Sequence, residues 1–253
     1  MSATGLLSPY LVLFCSSWDD TYKSELANFA DNPDDEGEVW FGEDALYRVL
    51  AWFDRNRDRV PLTAPILDLG CGNGVTCIHL ASEGFSDVTG VDYSPDAIQL
   101  AGKIAEKHEL KSHIKFEVLD ILADDDDADA STVHCRKFDV VFDKGTYDAV
   151  SLDPAGARVQ REKYVRNVSR MLNDESFLAI TSCNWTKEEL LRHFEKRKTK
   201  RAIEKCSPCS FTILAFLGIS DFDLHEAIPT PQFQFGGVVG NMVTSLILRK
   251  KQK

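Results

Sequence analysis

Short apolar runs that end in an acid alternate along this chain with stretches whose apolar positions recur every three to four residues. The first kind reads as buried strand, the second as amphipathic helix. Trp18 to Phe29 has helical character, and Gly42 to Asn56 places Leu46, Val49, Leu50 and Phe53 on one helix face. From Ile66 onward the two kinds interleave. Strands are predicted at 65–69, 87–91, 114–119, 138–142 and 176–181, and helices at 74–83, 95–109, 157–172 and 186–197. Ser94-Pro95-Asp96 marks the start of the second of these helices, since proline is preset for the first helical position. Such alternation with short loops means a parallel sheet covered by helices on both faces. The end of the chain differs. Phe222 to Ile228 and Met242 to Leu248 read as strands separated by Pro229-Thr230-Pro231 and Phe235-Gly236-Gly237. A closing hairpin of this kind makes the last strand antiparallel. Residues 1–17 carry no clear pattern and are expected to be disordered, and no internal repeat is visible.

The chemistry concentrates where the predicted strands stop. Ala64-Pro65-Ile66-Leu67-Asp68-Leu69 runs into Gly70-Cys71-Gly72-Asn73-Gly74, so an acid is followed by glycines at every second position. Glycine accepts positive φ and has no Cβ to block close approach. The helix that follows offers free N–H groups at the same spot. A dinucleotide loop would read G-x-G-x-x-G; here the pattern is D-x-G-x-G-x-G. The carboxylate of Asp68 repels a phosphate and suits a cation. S-adenosylmethionine, with its ammonium and sulfonium, fits that acid far better than a nicotinamide dinucleotide does. Asp92 ends the next strand, where an acid can accept ribose hydroxyls, and Asp120 ends the third, within reach of an adenine amino group. The bland reading of these acids is as helix caps and turn formers.

Composition narrows the class. A 43% hydrophobic and 27% charged share over 253 residues is that of a soluble globular protein with a full core. Lys plus Arg number 29 against 40 Asp plus Glu, a net charge of −11, which argues against direct nucleic-acid binding through phosphates. The seven cysteines have no repeated spacing. Cys206 and Cys209 lack a second pair, so no metal site is expected. Reduced thiols fit the cytosol. The apolar run Leu6 to Cys15 has no Lys or Arg before it and makes a poor signal peptide, and Phe211 to Ile219 is too short to span a bilayer. A cytoplasmic protein, with the nucleus as a second compartment, is expected.

A second constellation follows the fourth strand, in Asp143-Lys144-Gly145-Thr146-Tyr147-Asp148, and a third the fifth strand, in Thr181-Ser182-Cys183-Asn184-Trp185. The first of these lies beside the methyl group of a bound cofactor. Asn184 and Trp185 can hydrogen-bond and wall in an amine, although Asn184 can equally cap the next helix in competition with Thr186. Trp40 and Phe41 can close over the cofactor as a lid, or simply pack in the core.

These residues resemble the seven-β-strand methyltransferases that use S-adenosylmethionine, and more narrowly the methyltransferase-like-10 family, the elongation factor 1-alpha lysine methyltransferases. Besides the glycine loop and the two constellations, Trp18-Asp19-Asp20-Thr21-Tyr22, Gly37 to Gly42 with its Trp40-Phe41, Val91 to Ser94, Ile228 to Pro231, Phe235-Gly236-Gly237 and Gly240-Asn241 carry the likeness. It spans residues 18–249, expected to form a single domain. The resemblance implies an α/β, Rossmann-like doubly wound sheet of seven strands, mostly parallel with the last strand antiparallel. It also implies a monomer that acts on elongation factor 1-alpha, needing neither membrane nor metal. Residues 197–219, basic and then Cys-rich and apolar, depart from the family as an insertion.

The reaction implied is in-line attack of a neutral lysine amine on the sulfonium methyl, a step governed by positioning. On this reading Asp143 and Asn184 orient the amine, and Tyr147 and Trp185 wall it. Trp40, Asp68, Gly70, Gly72, Asn73, Gly74, Asp92, Tyr93, Asp120, Ile121 and Asp143 hold the cofactor. A small-molecule methyltransferase of the same fold, a cofactor-binding scaffold inactivated by the insertion, and a hydride-transferring dehydrogenase are the alternatives; the place of Asp68 speaks against the last.

Overall fold

Ile66–Leu69 (β1) is buried at all four positions, as a strand covered on both faces must be. Its side chains divide by parity. Ile66 joins a core with Leu46, Trp52, Leu80 and Leu100, whereas Leu67 and Leu69 join another with Tyr164, Val168 and Leu190. The two cores are the two faces of one sheet. The computed structural model describes residues 18–123, 133, 136–152, 156–194, 221–235 and 238–252. The expected disordered start and the insertion at 197–219 lie outside the described residues.

Helices α1 (Trp18–Asp31) and α2 (Glu43–Arg55) precede β1. After it come α3 (Val75–Ser82), β2 (Val88–Asp92), α4 (Pro95–Lys107), β3 (Ile114–Val118) and β4 (Phe138–Lys144). The chain continues through α5 (Thr146–Val150), α6 (Ala157–Met171), β5 (Leu172–Ser182) and α7 (Lys187–Phe194). It closes with β6 (Phe222–Ile228), β7 (Gln232–Phe235), β8 (Val238–Asn241) and β9 (Thr244–Lys250). Seven strands form one sheet in the order β3-β2-β1-β4-β5-β9-β6. Strands β1 to β5 pair in parallel, and β9 runs antiparallel to both β5 and β6. The doubly wound sheet of seven strands, with the last antiparallel, is therefore present.

Three features go beyond the sequence reading. The polar turn after β4 winds into α5, a single helical turn too short to give a periodic signal. β5 begins four residues before the predicted 176, directly from the end of α6. Between β6 and β9 the chain forms a separate hairpin of β7 and β8, so the closing pair is β6 with β9, in register Phe222↔Lys250 to Ile228↔Ser245.

On the α2 face, Trp52 is fully buried, edge-on to Phe177 at 5.1 Å and Phe53 at 5.5 Å. Trp52→Ala is expected to lower stability by about 3–5 kcal/mol through lost burial and the cavity left behind. Denaturant unfolding measures it, and a loss below about 1 kcal/mol would contradict this packing.

Candidate functional site

The sheet order reverses between β1 and β4, and there the connections leave the strands toward opposite faces. Ligands in such sheets bind at that switch point, beyond the carboxyl ends of the strands. A cavity of about 650 Å³ opens there, within the roughly 300–1,000 Å³ of small-molecule sites. Its floor is the glycine loop. Gly70 and Cys71 both donate their N–H to the Val91 carbonyl, at 2.8 and 2.9 Å, and the Gly72 N–H donates to Asp92 Oδ2 at 3.0 Å. Gly70 and Gly72 have φ of 71° and 54°, where a side chain is strained. A Cβ on Gly70 would run into Thr146 Oγ1, and one on Gly72 into the Tyr22 hydroxyl. The bareness of the loop thus serves packing by the protein's own side chains as well as ligand approach.

Of the residues expected to hold the cofactor, Trp40, Gly70, Gly72, Asn73, Asp92, Tyr93, Asp120 and Ile121 line this cavity. The Asp92 carboxylate joins two loops, since its Oδ1 also accepts the Ser94 N–H at 3.0 Å. Asp120 turns the chain after β3 by accepting the Leu122 N–H at 2.7 Å. Trp40 stands edge-on to Trp18, with ring centroids 4.6 Å apart, and both face the cavity. Tyr22 also lines it, as do Lys144 and Thr146, which the sequence reading places beside the donor methyl only as part of a segment and gives no role of their own. Trp18 and Tyr22 lie one helical turn apart in α1, a spacing that reads equally well as a core face.

Three residues expected on the cofactor stand behind the wall instead. Gly74 is the left-handed N-terminal residue of α3, where a Cβ would meet Ala101 at 2.9 Å and Phe116 at 3.1 Å. Asp68 is buried under the loop, where the Cys77 thiol donates to its Oδ2 at 3.5 Å. Burial pushes its pKa up to about 6, against the pull of nearby Lys144. The third is Asp143. Strand alternation turns its side chain toward α6, while its neighbour Lys144 faces the cavity. The Asp143 carboxylate accepts the Tyr147 N–H at 3.0 Å and the Tyr164 hydroxyl, which makes it a cap for α5. It is wholly buried, and its pKa is pushed up to about 7, chiefly by burial.

The expected catalytic quartet is therefore not assembled around one point. Tyr147 is also wholly buried, its ring packed 5.0 Å from that of Tyr164 and 5.5 Å from that of Phe194. Asn184 and Trp185 line a second cavity, of about 440 Å³, between the ends of β5, β6 and β9. The helix cap that competed for Asn184 belongs to Thr186. Its hydroxyl accepts the Glu189 N–H at 3.3 Å, and Glu189 Oε2 accepts the Thr186 N–H at 3.0 Å. Asp148, in the segment expected beside the donor methyl, lines neither cavity but ties the surroundings of one to the other. Its carboxylate accepts the Ser182 hydroxyl and, at 2.8 Å, the Cys183 N–H. The turn that presents Asn184 is thereby fixed to α5, whose Thr146 and Ala149 line the first cavity. Among the described residues, no group of three or more His, Cys, Asp or Glu could hold a metal ion.

Asp68 and Asp143 titrate above the ordinary carboxylate value of 3.8. The folded state therefore binds more protons than the unfolded one. Their contribution is complete below that value and is lost as pH rises through about 6 and about 7. The ligand-free protein should melt at a higher temperature at pH 5.5 than at pH 8, and Asp143→Asn should narrow the gap. Scanning calorimetry at the two pH values checks it; an unchanged gap would contradict the assignment.

The family model described as "Methyltransferase domain" matches residues 63–234. The human protein "EEF1A lysine methyltransferase 2" is 42% identical over 233 residues, which is 92% of this chain and 84% of that protein. The Saccharomyces cerevisiae "Protein-lysine N-methyltransferase EFM4" is 32% identical over 243 residues, 92% of either chain. Among solved structures, the N-methyltransferase NodS from Bradyrhizobium japonicum superposes with a TM-score of 0.55 over 94% of this chain and 100% of that one. At 16% identity that likeness speaks to the fold alone. With relatives this similar along nearly the whole length, the chain belongs to the methyltransferase-domain family, among the protein-lysine N-methyltransferases that use S-adenosylmethionine.

Proposed function

We propose that this protein methylates a lysine of elongation factor 1A, working as a monomer in the cytoplasm and the nucleus. The observation that carries the substrate is the 42% identity to the human EEF1A lysine methyltransferase 2, held across 92% of the chain. The first cavity fits the methyl donor on its own terms. It combines acids for hydroxyls and cations, exposed backbone of a glycine loop and aromatic faces. Asp92 would take the ribose hydroxyls and Asp120 the adenine amino group, with Tyr93 and Ile121 beside the nucleoside. Asp68 would act on the donor's cationic end from behind the loop, through its field rather than by contact.

The bound donor supplies an electrophilic methyl, and the chain's residues do the rest. Trp18, Tyr22 and Trp40 cover the cavity and exclude water. A substrate lysine with pKa near 10.4 must arrive unprotonated, and burial between apolar walls favours that form. Asn184, on the turn held by Asp148, is placed to orient the amine. Trp185 walls the approach. Asp143 serves the reaction as the fixed cap of α5, not as a group that touches the amine.

Asp92→Ala should weaken S-adenosylhomocysteine binding by about 100-fold, the loss of two charge-assisted hydrogen bonds, with calorimetry as the measurement. The substrate is tested by adding labelled S-adenosylmethionine and purified enzyme to a lysate, with the Asp92→Ala protein as blank. Label in elongation factor 1A, identified as methyl-lysine by mass spectrometry, is the expected result. Label confined to small metabolites would overturn the protein-substrate reading.

A further inference from the structure

Residues 32–42, the strap between α1 and α2, supply Glu38, Trp40 and Phe41 to the wall of the first cavity. The outer end of the strap is fastened to α4, a helix that lines none of that cavity. Lys107 is the last residue of α4, where the helix dipole favours a cation. An ammonium has three donors. Lys107 gives them to the Pro33 carbonyl at 2.7 Å, Glu36 Oε1 at 2.8 Å and Asp34 Oδ1 at 3.3 Å. All three acceptors belong to the strap. Glu36 has a second partner at the same helix end, for His108 Nε2 stands 2.9 Å from its Oε1 and 3.1 Å from its Oε2.

Inward of Glu36 the strap is tied to the site itself. The Asn73 side-chain amide, from the glycine loop, donates to the Glu36 carbonyl at 2.9 Å, and its oxygen accepts the Val75 N–H at 3.4 Å. Gly37 packs on Glu25 of α1, whose carboxylate a Cβ would meet at 2.8 Å, and that carboxylate accepts the Glu38 N–H at 3.3 Å. Trp40 then stands edge-on to Trp18. Glu36 is thus the point where the outer fastening meets the glycine loop, four residues from the aromatic cover. The bland reading is a solvated ion pair, since the Glu36 and Lys107 side chains are 33% and 34% exposed and such pairs contribute little singly. Here two basic side chains converge on one carboxylate, and one ammonium gathers three acceptors, which makes a network. A fastening of that modest strength suits a cover that has to release product at every turnover.

We propose that Glu36 is a positioning residue: through Lys107 and His108 it holds the strap over the bound donor and sets how fast S-adenosylhomocysteine leaves. The inference rests on the placement of the donor in the first cavity. Stopped-flow tryptophan fluorescence on the full chain measures the release of S-adenosylhomocysteine. Glu36→Gln and Lys107→Met should each speed it about three- to tenfold. The donor KM should rise with it while kcat does not fall, because no group that touches the reactants has changed. Salt supplies the readout that a merely structural role would not move. Raising the ionic strength from about 0.05 M to about 0.5 M should speed release from the native protein, since exposed charges are screened. The two variants, already unfastened, should respond far less. Unchanged release from both variants would overturn the proposal, as would a loss of kcat with release unchanged. Faster release that keeps the native salt response would assign the effect to general loosening and overturn it too. Should the variants fail to fold, the native protein decides, and release indifferent to salt would reject the ionic fastening. An Asp92→Ala protein that bound S-adenosylhomocysteine as tightly as the native one would place the donor elsewhere, and would remove that placement and this inference together.

Discussion

The junction of β1 and β4 is the constraint on which the rest depends. Two parallel strands lie side by side there, in register Ile66↔Val140 to Leu69↔Asp143, yet their chains leave toward opposite faces of the sheet. No crossover can cover the gap, so a crevice is forced by topology. Everything functional is built from what the strands discharge into it: the glycine loop from β1, Asp92 and Tyr93 from β2, Lys144 to Thr146 from β4. Asp92 holds two of these loops together through Gly72 and Ser94. The crevice is therefore shaped before any ligand arrives, which is how a positioning enzyme saves entropy in the reaction step.

Much of this was legible in the sequence because it depends on local rules. A buried parallel strand reads as an apolar run, its end as an acid and glycines, and the alternation with helices fixes the architecture. Asp92, Asp120, Gly70 and Gly72 were singled out in this way, and the structure brings all four to one cavity. The errors at β4 have one physical origin. A strand's two faces are told apart by counting from a known buried position, and the pairing of β4 with β5 slips between Phe138 and Val140. Proximity in sequence placed Asp143 at the methyl group; parity in the folded strand sends Asp143 to α6 and Lys144 to the cavity. Likewise the contribution of α1 was hidden, because Trp18 and Tyr22 reach the site only through tertiary packing against Trp40 and Gly72.

Four carboxylates in this region, Asp68, Asp92, Asp143 and Asp148, are each no more than 5% exposed. Burying a carboxylate is costly unless it is paired or hydrogen-bonded. Asp92, Asp143 and Asp148 each accept a backbone N–H and at least one further donor. Asp68 accepts no backbone N–H of this kind; it has Lys144 as its offsetting charge and the side chains of Thr76 and Cys77 as donors. The division is informative. Three acids serve as joints that fix loops, whereas the fourth keeps a field under the glycine loop.

Asp148 shows how such a joint bears on function. One of its oxygens takes the Ser182 hydroxyl and the other the Cys183 N–H, so the turn carrying Asn184 and Trp185 is fixed to α5. α5 in turn starts from Gly145, whose N–H donates to the Thr181 carbonyl at 3.1 Å. The turn after β4 and the turn after β5 are thus bonded to each other twice, by backbone and by side chain. Donor and acceptor in a methyl transfer have to meet within a fraction of an ångström, and misplacement of about 1 Å can cost about a hundredfold in rate. Coupling the wall of one cavity to the wall of the other serves that demand for precise positioning. It also explains why the acids nearest the expected chemistry are the ones most completely withdrawn from it.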